Sequence, residues 1–380
     1  MRFAIERDRT LGTALARRTC LERRPKAAVL TGILGFLAMQ MGLALVIERW
    51  VPQFRDPEYG QRLKILEKRL ACASERPFVF VMLGSSRAMN GFIPRPVEAE
   101  LERCSKRPVV AFNFGITGGG PLTESLTLRR LLAHGIRPDL VCLEVHPAVF
   151  HADHSGAELT HHLALNRLWL QDLPLLARYS GNTRQVAWAW SHNSLVPCFT
   201  QRYAILSHVA PAFIPYEQRL DWVFRLDSWG WVDNYGARAT EPVRQRARMS
   251  ARREYQATVS HLHPGGLSCQ TLRDLLKLCA KEKIPAVLLL MPESPTFRSW
   301  YSAQARSDFD SFLLDLHRHF GTPIINAHEW IGEEDFFDSH HLLSSGAEIF
   351  SERLAKAISP LIQDPQEPRT ASLVDFRSSY

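Results

Sequence analysis

The chain has 380 residues, of which 46% are apolar and 22% charged. That is enough for one large core or two ordinary ones, and it is not the composition of a disordered protein. The net charge of +7 is unevenly placed: residues 1–26 carry eight basic residues against Glu6, Asp8 and Glu22, which leaves the remainder close to neutral. With no nucleic-acid-binding motif and no interleaving of aromatic and basic residues, a nucleic-acid partner is not expected.

The basic segment 1–26 is followed by Ala27 to Ile47, which contains no charge and whose most polar member is Gln40. Twenty-one such residues can cross about 30 Å of hydrocarbon as a helix. A buried helix of a soluble core would keep a polar side. A cleaved leader would have a shorter apolar core and a small-x-small site after it, where Glu48-Arg49-Trp50 stands instead. The segment is therefore expected to be an uncleaved signal anchor in the cytoplasmic (inner) membrane. The basic tail stays inside, the rest of the chain is extracytoplasmic or periplasmic, and Trp50 lies at the outer interface.

Helical spacing of Leu63, Ile65, Leu66 and Leu70 predicts a helix over 58–73. Apolar runs Phe78–Leu83, Val109–Phe114 and Leu140–Val145 predict strands, separated by helices over 96–104 and Leu122–His134. Residues 150–262 break this rhythm. They are rich in Trp, His, Arg and Tyr and read as a largely helical insertion. The alternation then resumes with a helix (Ser268–Lys283), a strand (Pro285–Met291), a helix (Ala303–Phe320) and a short strand (Pro323–Ala327). A last helix opens at Ser345 with a capping-box spacing and presents Phe350, Leu354, Ile358 and Leu361 on one face. Residues 364–380 read as a loose tail. The pattern predicts an α/β domain over 58–363, with a parallel sheet covered by helices on both faces. Cys142 falls in a strand and is expected to be a buried thiol. Cys72 and Cys104 each precede a strand by a few residues, and a disulfide between them is open.

The first strand stops at Gly84-Ser85-Ser86. Such a turn can be mere local bonding, or it can hold a nucleophilic hydroxyl at the carboxyl edge of a sheet. Far away, Asp338 and His341 are separated by two residues. That spacing lets a carboxylate hold one imidazole nitrogen protonated while the other accepts a proton from a serine. Ordinary loop polarity and a metal set of Asp338, His340 and His341 are the other readings of that stretch. Arg87 reads as a solvated or ion-paired arginine at a helix start, or as a binder of anionic substrate groups. His151, His154, His161, His162, His261 and His263 form a histidine-rich set that a metal could use, though capping or exposed histidines explain them as well. Trp188, Trp190, Trp222, Trp229 and Trp231 suit core packing, sugar stacking or a membrane interface. Gly118-Gly119-Gly120 lacks the residues of a phosphate loop. No cofactor and no metal are expected.

Taken together, Gly-Ser-Ser after the first strand, Asn-Phe-Gly-Ile-Thr-Gly after the second and Asp-x-x-His-Leu before the last helix resemble the SGNH/GDSL hydrolase superfamily. The resemblance implies a flavodoxin-like three-layer sheet, with Ser86 as nucleophile and Ser85 in the place of the family's aspartate. It further implies oxyanion donors from Ser86 and Gly118, and Asp338 and His341 as the acid–imidazole pair. The Gly-Ser-Ser-Arg variant and the single span are similar to the membrane-anchored bacterial branch, which includes D-alanyl transfer and alginate O-acetylation proteins. The function implied is a serine esterase or O-acyltransferase acting on acyl esters, with cell-envelope glycans as the substrate class and envelope proteins as further partners. One departure stands: the third strand ends Leu143-Glu144-Val145-His146-Pro147, without the family's oxyanion asparagine. Either His146 or a group from the insertion takes that place, or the chain is a slow enzyme, or it is an inactive scaffold of an envelope assembly.

Overall fold

The computed structural model describes residues 5–105, 107–154, 158, 165–215, 218–236 and 240–363, with side chains placed from Lys26 onward. His161, His162, the tail 364–380 and the side chains of Cys20 and His154 lie outside the described residues. Helix α1 (Ile5–Arg49) runs without a break through the basic segment and the apolar one. Its part Lys26–Arg49 is, among the described residues, the one helix long and apolar enough to cross a membrane.

The domain begins with α2 (Pro57–Cys72), whose N-terminus Asp56 caps by accepting from the Tyr59 N–H. Strand β1 (Phe78–Gly84) follows, then α3 (Ser86–Gly91), α4 (Pro94–Cys104), β2 (Val109–Gly115), α5 (Pro121–Ala133) and β3 (Leu140–Glu144). The long connection after β3 holds helices α6 (Leu173–Ser180), α7 (Thr183–Ser194), α8 (Pro197–Thr200), α9 (Arg202–Val209) and α10 (Glu241–Ser260). The chain then returns through α11 (Gly266–Lys281), β4 (Ala286–Leu290), α12 (Pro295–Arg298), α13 (Ala303–Phe320), β5 (Ile324–Asn326) and α14 (Ser344–Ile358).

The strands form one sheet in the order β2-β1-β3-β4-β5, with every pairing parallel. The chain leaves β1 toward one edge and returns on its other side as β3, which opens a crevice at the carboxyl ends of β1 and β3. Strands buried on both faces read as unbroken apolar runs, and strict alternation divides each run between two cores. Val81, Leu83, Phe112, Phe114, Val141, Leu143 and Leu288 pack under α2, α5, α11 and α13. Phe80, Met82, Ala111, Cys142, Val287 and Leu289 pack under α3, α4 and α14. The flavodoxin-like three-layer architecture is therefore as expected.

Three details differ. The last helix begins at Ser344 rather than Ser345, with Leu343 as its cap and no side-chain cap bond. The Ser345 hydroxyl instead reaches back 2.5 Å to the Asp335 carboxylate, so the capping-box spacing is coincidental. Cys72 is a free exposed thiol, and the Cys104 sulfur lies 2.9 Å from Ser359 Oγ. The disulfide left open by the sequence is not formed. Cys142 is a buried free thiol, as expected.

Candidate active site

The turn after β1 is shaped by what surrounds it. A Cβ on Gly84 would stand 2.5 Å from Glu144 Oε2 and 2.7 Å from the Ala88 Cβ, so a glycine leaves room at the end of β1 for the Glu144 side chain from the neighbouring strand β3. Ser85 is the N-cap of α3. Its Oγ accepts from the Arg87 N–H at 3.1 Å and donates to the Glu144 carboxylate at 2.9 Å. The Ser85 N–H bonds the same carboxylate at 2.7 Å. With Ser85 clamped from both sides, Ser86 opens the helix, where an N–H has no partner within the helix and faces the positive end of its dipole.

The second turn lies between β5 and α14. Asp338 Oδ1 accepts the N–H groups of His340 and His341, at 2.9 and 2.8 Å. Its other oxygen meets Nδ1 of His341 at 2.8 Å. A carboxylate on Nδ1 requires the proton there, which leaves Nε2 as the acceptor. Nε2 lies 2.8 Å from Ser86 Oγ. Burial alone would raise the Asp338 carboxyl, but the imidazoles of His341 and His340 and the hydrogen bonds outweigh it and hold the group well below the carboxylate range. Asp338 thus stays charged beside the imidazole. Although Asp338, His340 and His341 bring donor atoms within 4.8 Å of one another, both Asp338 oxygens are committed to hydrogen bonds from the other two residues.

Ser86, Gly118, Gly119, His146, Glu158 and Tyr255 line the cleft beside this line of groups. Gly118 adopts φ +68°, a left-handed angle that suits glycine. The amides around it are spent: Thr117 donates to Glu58 at 2.9 Å, Gly119 to the Ile116 carbonyl at 2.9 Å and Gly120 to Glu158 at 2.9 Å. Among the described residues the Gly118 N–H has no acceptor.

Around this line stand residues whose roles the sequence left open, Arg87 and His146, or missed, Glu144 and Glu158. Arg87 is fully buried. It bonds the carbonyls of Met291 and Pro292 at 3.0 Å and lies 3.7 Å from Glu144 and 3.6 Å from Glu293. It braces the site from below as an ion-paired side chain and lines the floor of the cleft. Burial pushes the Glu293 carboxyl up to about 7, with Arg87 opposing. Glu158, from the insertion, places its carboxylate on the N–H groups of Gly120, Leu122 and Thr123 at the start of α5, at 2.6 to 3.0 Å. His146, at the end of β3, is buried with an unpartnered Nε2 and stacks on His340 at 6.3 Å. Burial first, then Arg87, drives it well below its ordinary titration range, so it is a neutral imidazole. The signal for Glu144 and His146 was their place after a central strand; nothing in the sequence pointed to Glu158.

The other candidates disperse. His263 pairs with Asp308 at 3.0 Å and His261 with Ser260 at 2.9 Å, so these two do not converge as ligands. Trp190, Trp229 and Trp231 spend their indole N–H groups on Leu168, Glu98 and Asn90, as packing residues do. Trp188 is exposed.

A protein-family model matches residues 238–363, the part that carries Asp338 and His341 but not Ser86. No curated protein matches the chain. Similar solved structures include the lipase/acylhydrolase from Enterococcus faecalis, with 11% identity over 74% of this chain and 96% of that one and a TM-score of 0.34. They also include a GDSL-like lipase from Bacteroides thetaiotaomicron, with 11% identity over 80% of this chain and 100% of that one and a TM-score of 0.35. Superpositions this loose say nothing about activity, so the chemistry rests on this chain's own atoms.

Proposed function

We propose that the chain is a serine ester hydrolase or O-acyltransferase of the SGNH type, anchored by α1 in the inner membrane with its α/β domain outside. The single observation that carries this reading is the line from Ser86 Oγ through the His341 imidazole to Asp338 Oδ2, with both hydrogen bonds, to Nε2 and from Nδ1, at 2.8 Å. Ser86 Oγ attacks the acyl carbonyl carbon while His341 Nε2 takes the hydroxyl proton. Asp338 holds the tautomer and stabilises the imidazolium. The N–H groups of Ser86 and Gly118 receive the oxyanion. Collapse expels the alcohol, which takes the proton from His341 and leaves an ester on Ser86. Water then gives hydrolysis, and a sugar hydroxyl gives transfer. Esters of envelope glycans are the substrate class, on the strength of the anchor and the side of the membrane its basic flank implies.

The test is a fluorophosphonate probe on the full chain in detergent. Covalent labelling of Ser86 supports the enzyme. A folded protein that stays unlabelled sinks it and favours a scaffold that keeps the fold. Product analysis with an acyl donor and a glycan acceptor separates hydrolysis from transfer.

A further inference from the structure

The apolar helix α1 is exposed from Lys26 to Met39, and then one stripe is covered: Gln40 and Ile47 are buried, and Leu43 and Ala44 are half-buried. That spacing is one face of a helix. The stripe faces α8 and the turn Pro52–Phe54. Gln40 Oε1 accepts the Cys198 N–H from α8 at 3.2 Å, and Arg55 ties Glu48 at 2.9 Å to Ser194 of α7 at 3.2 Å. Gln40 lies seven residues before Ile47, about 10 Å down the helix axis. If α1 spans the membrane, α8 is at that depth too.

The composition of the insertion fits such a position. From Gln185 to Pro215 the only Asp, Glu, Lys or Arg is Arg202. Large apolar side chains there point away from the protein: Phe199 is 61% exposed, Val209 66% and Phe213 86%, with Leu195 and Trp188 alongside. Single exposed apolar residues need no explanation, but this many large ones along one short stretch of chain mark a contact surface. The guanidinium of Arg202 lies 4.0 Å over the Phe199 ring and 4.2 Å over that of Tyr203, an arrangement in which a long side chain lies along apolar surface while its head reaches for water.

We propose that α7 to α9 and the turn Pro211–Phe213 form a pad embedded in the outer leaflet of the bilayer, fixed to the transmembrane helix through Gln40 and Arg55. The occupant of the apolar face is lipid. The pad is continuous with the surface of α1 proposed to span the bilayer, and α8, the part of it that packs on that helix, carries no charged residue. It anchors the α/β domain to the bilayer at two places instead of one, which restricts how far the active-site cleft can tilt from the membrane.

This proposal rests on α1 spanning the bilayer, so the experiment reads both. The full chain, with its accessible native cysteines replaced by serine, is labelled with an environment-sensitive fluorophore at Leu34→Cys on α1, at Phe199→Cys and Phe213→Cys on the pad, and at Arg318→Cys on α13. It is reconstituted in phosphatidylglycerol/phosphatidylethanolamine nanodiscs containing doxyl lipids. The expected result is quenching by doxyl lipid at positions 34, 199 and 213, and quenching only by aqueous iodide at 318. Iodide quenching at 199 and 213 with lipid quenching at 34 overturns the pad and leaves the span standing. Iodide quenching at 34 as well overturns the span and the pad with it. In cell membranes, protection of 199 and 213 from both quenchers, with 34 still lipid-quenched, overturns lipid as the occupant in favour of a protein neighbour.

Discussion

Ser86 Oγ lies 2.8 Å from His341 Nε2 across 255 positions of sequence. The contact is assembled by two turns, each with its own carboxylate. Glu144 holds Ser85 by N–H and hydroxyl, and Asp338 holds His341 by N–H and ring. The turn of the proposed nucleophile and its proposed base are therefore each held by their own carboxylate, and removing either nucleophile or base should cost the function of both.

Accordingly, Ser86→Ala and His341→Ala should each abolish acyl-enzyme formation, and the double variant should be no worse than either, since the pair acts as a unit. Asp338→Asn should lower turnover by about 10⁴-fold, because an amide can favour the wrong tautomer. Ser85→Ala should retain measurable turnover. Burst kinetics on an activated ester check all four. Dead Ser85→Ala with active Ser86→Ala would move the nucleophile by one residue.

Arg87 sits between Glu144 and Glu293 with under 2% of its side chain exposed. Replacing one member of a buried ion set leaves the others uncompensated, at a cost of about 3–5 kcal/mol. Arg87→Met should therefore lower the unfolding free energy of the full chain in detergent by that amount. A surface arginine such as Arg103, 74% exposed, should change it by a few tenths of a kcal/mol when replaced. A urea titration of both variants distinguishes bracing from surface charge.

Much of this architecture is legible in the sequence because it is written in short-range pattern. Strands buried on both faces are apolar runs, so β1 to β5 appear within one residue of their bounds. Ser86, Asp338 and His341 stand out because the chemistry of a nucleophile and its base demands those residue types near strand ends. Glu144 and Glu158 do not stand out, and Arg87 stands out with its role left open. An arginine after a serine turn looks like any solvated cation; only the crossing of β1 between β2 and β3 buries it against two carboxylates. Glu158 meets the start of α5 from more than thirty positions away, a contact with no periodicity to betray it.

A third prediction concerns pH. Burial, partly offset by Asp338, pushes the His340 imidazole down to about 3, against 6.5 in an unfolded chain. Between those values the unfolded state binds a proton that the folded state refuses, so this residue lowers stability progressively as the pH falls below about 6.5 and has no effect above it. From pH 8 to pH 5 the loss is about 2 kcal/mol. His340→Phe should remove it, and Tyr255 and Phe297 already surround the site with aromatic rings. His146 and His328, also pushed down by burial, act in the same direction, while Glu124, Glu158 and Glu293, pushed up, act in the opposite one. These are common to both proteins. The difference between wild type and His340→Phe in denaturant titrations at the two pH values isolates the one imidazole. An equal loss in both would show that His340 is not held neutral.

The last prediction tests why the first strand ends in glycine. A Cβ at position 84 would meet Glu144 Oε2 at 2.5 Å, the Glu144 Cβ at 2.8 Å and the Ala88 Cβ at 2.7 Å. The carboxylate can swing away, but it then releases the Ser85 N–H and hydroxyl that it holds. The two β-carbons belong to a central strand and to α3, so neither moves without its element. Gly84→Ala should therefore cost about 1–3 kcal/mol, the usual range for overpacking. Its effect on acylation should be larger than its effect on stability, because α3 carries Ser86 and is the element pushed. Glu144→Ala removes only one of the three close atoms, Oε2, since its own Cβ remains, and leaves the Ser85 N–H without its acceptor. The double variant should accordingly be less destabilised than the sum of the two singles, because the Ser85 bonds are lost only once. Denaturant titrations and burst amplitudes of the two singles and the double measure both quantities. Simple additivity would show that Gly84 and Glu144 are not coupled, and that the glycine serves some other need of the turn.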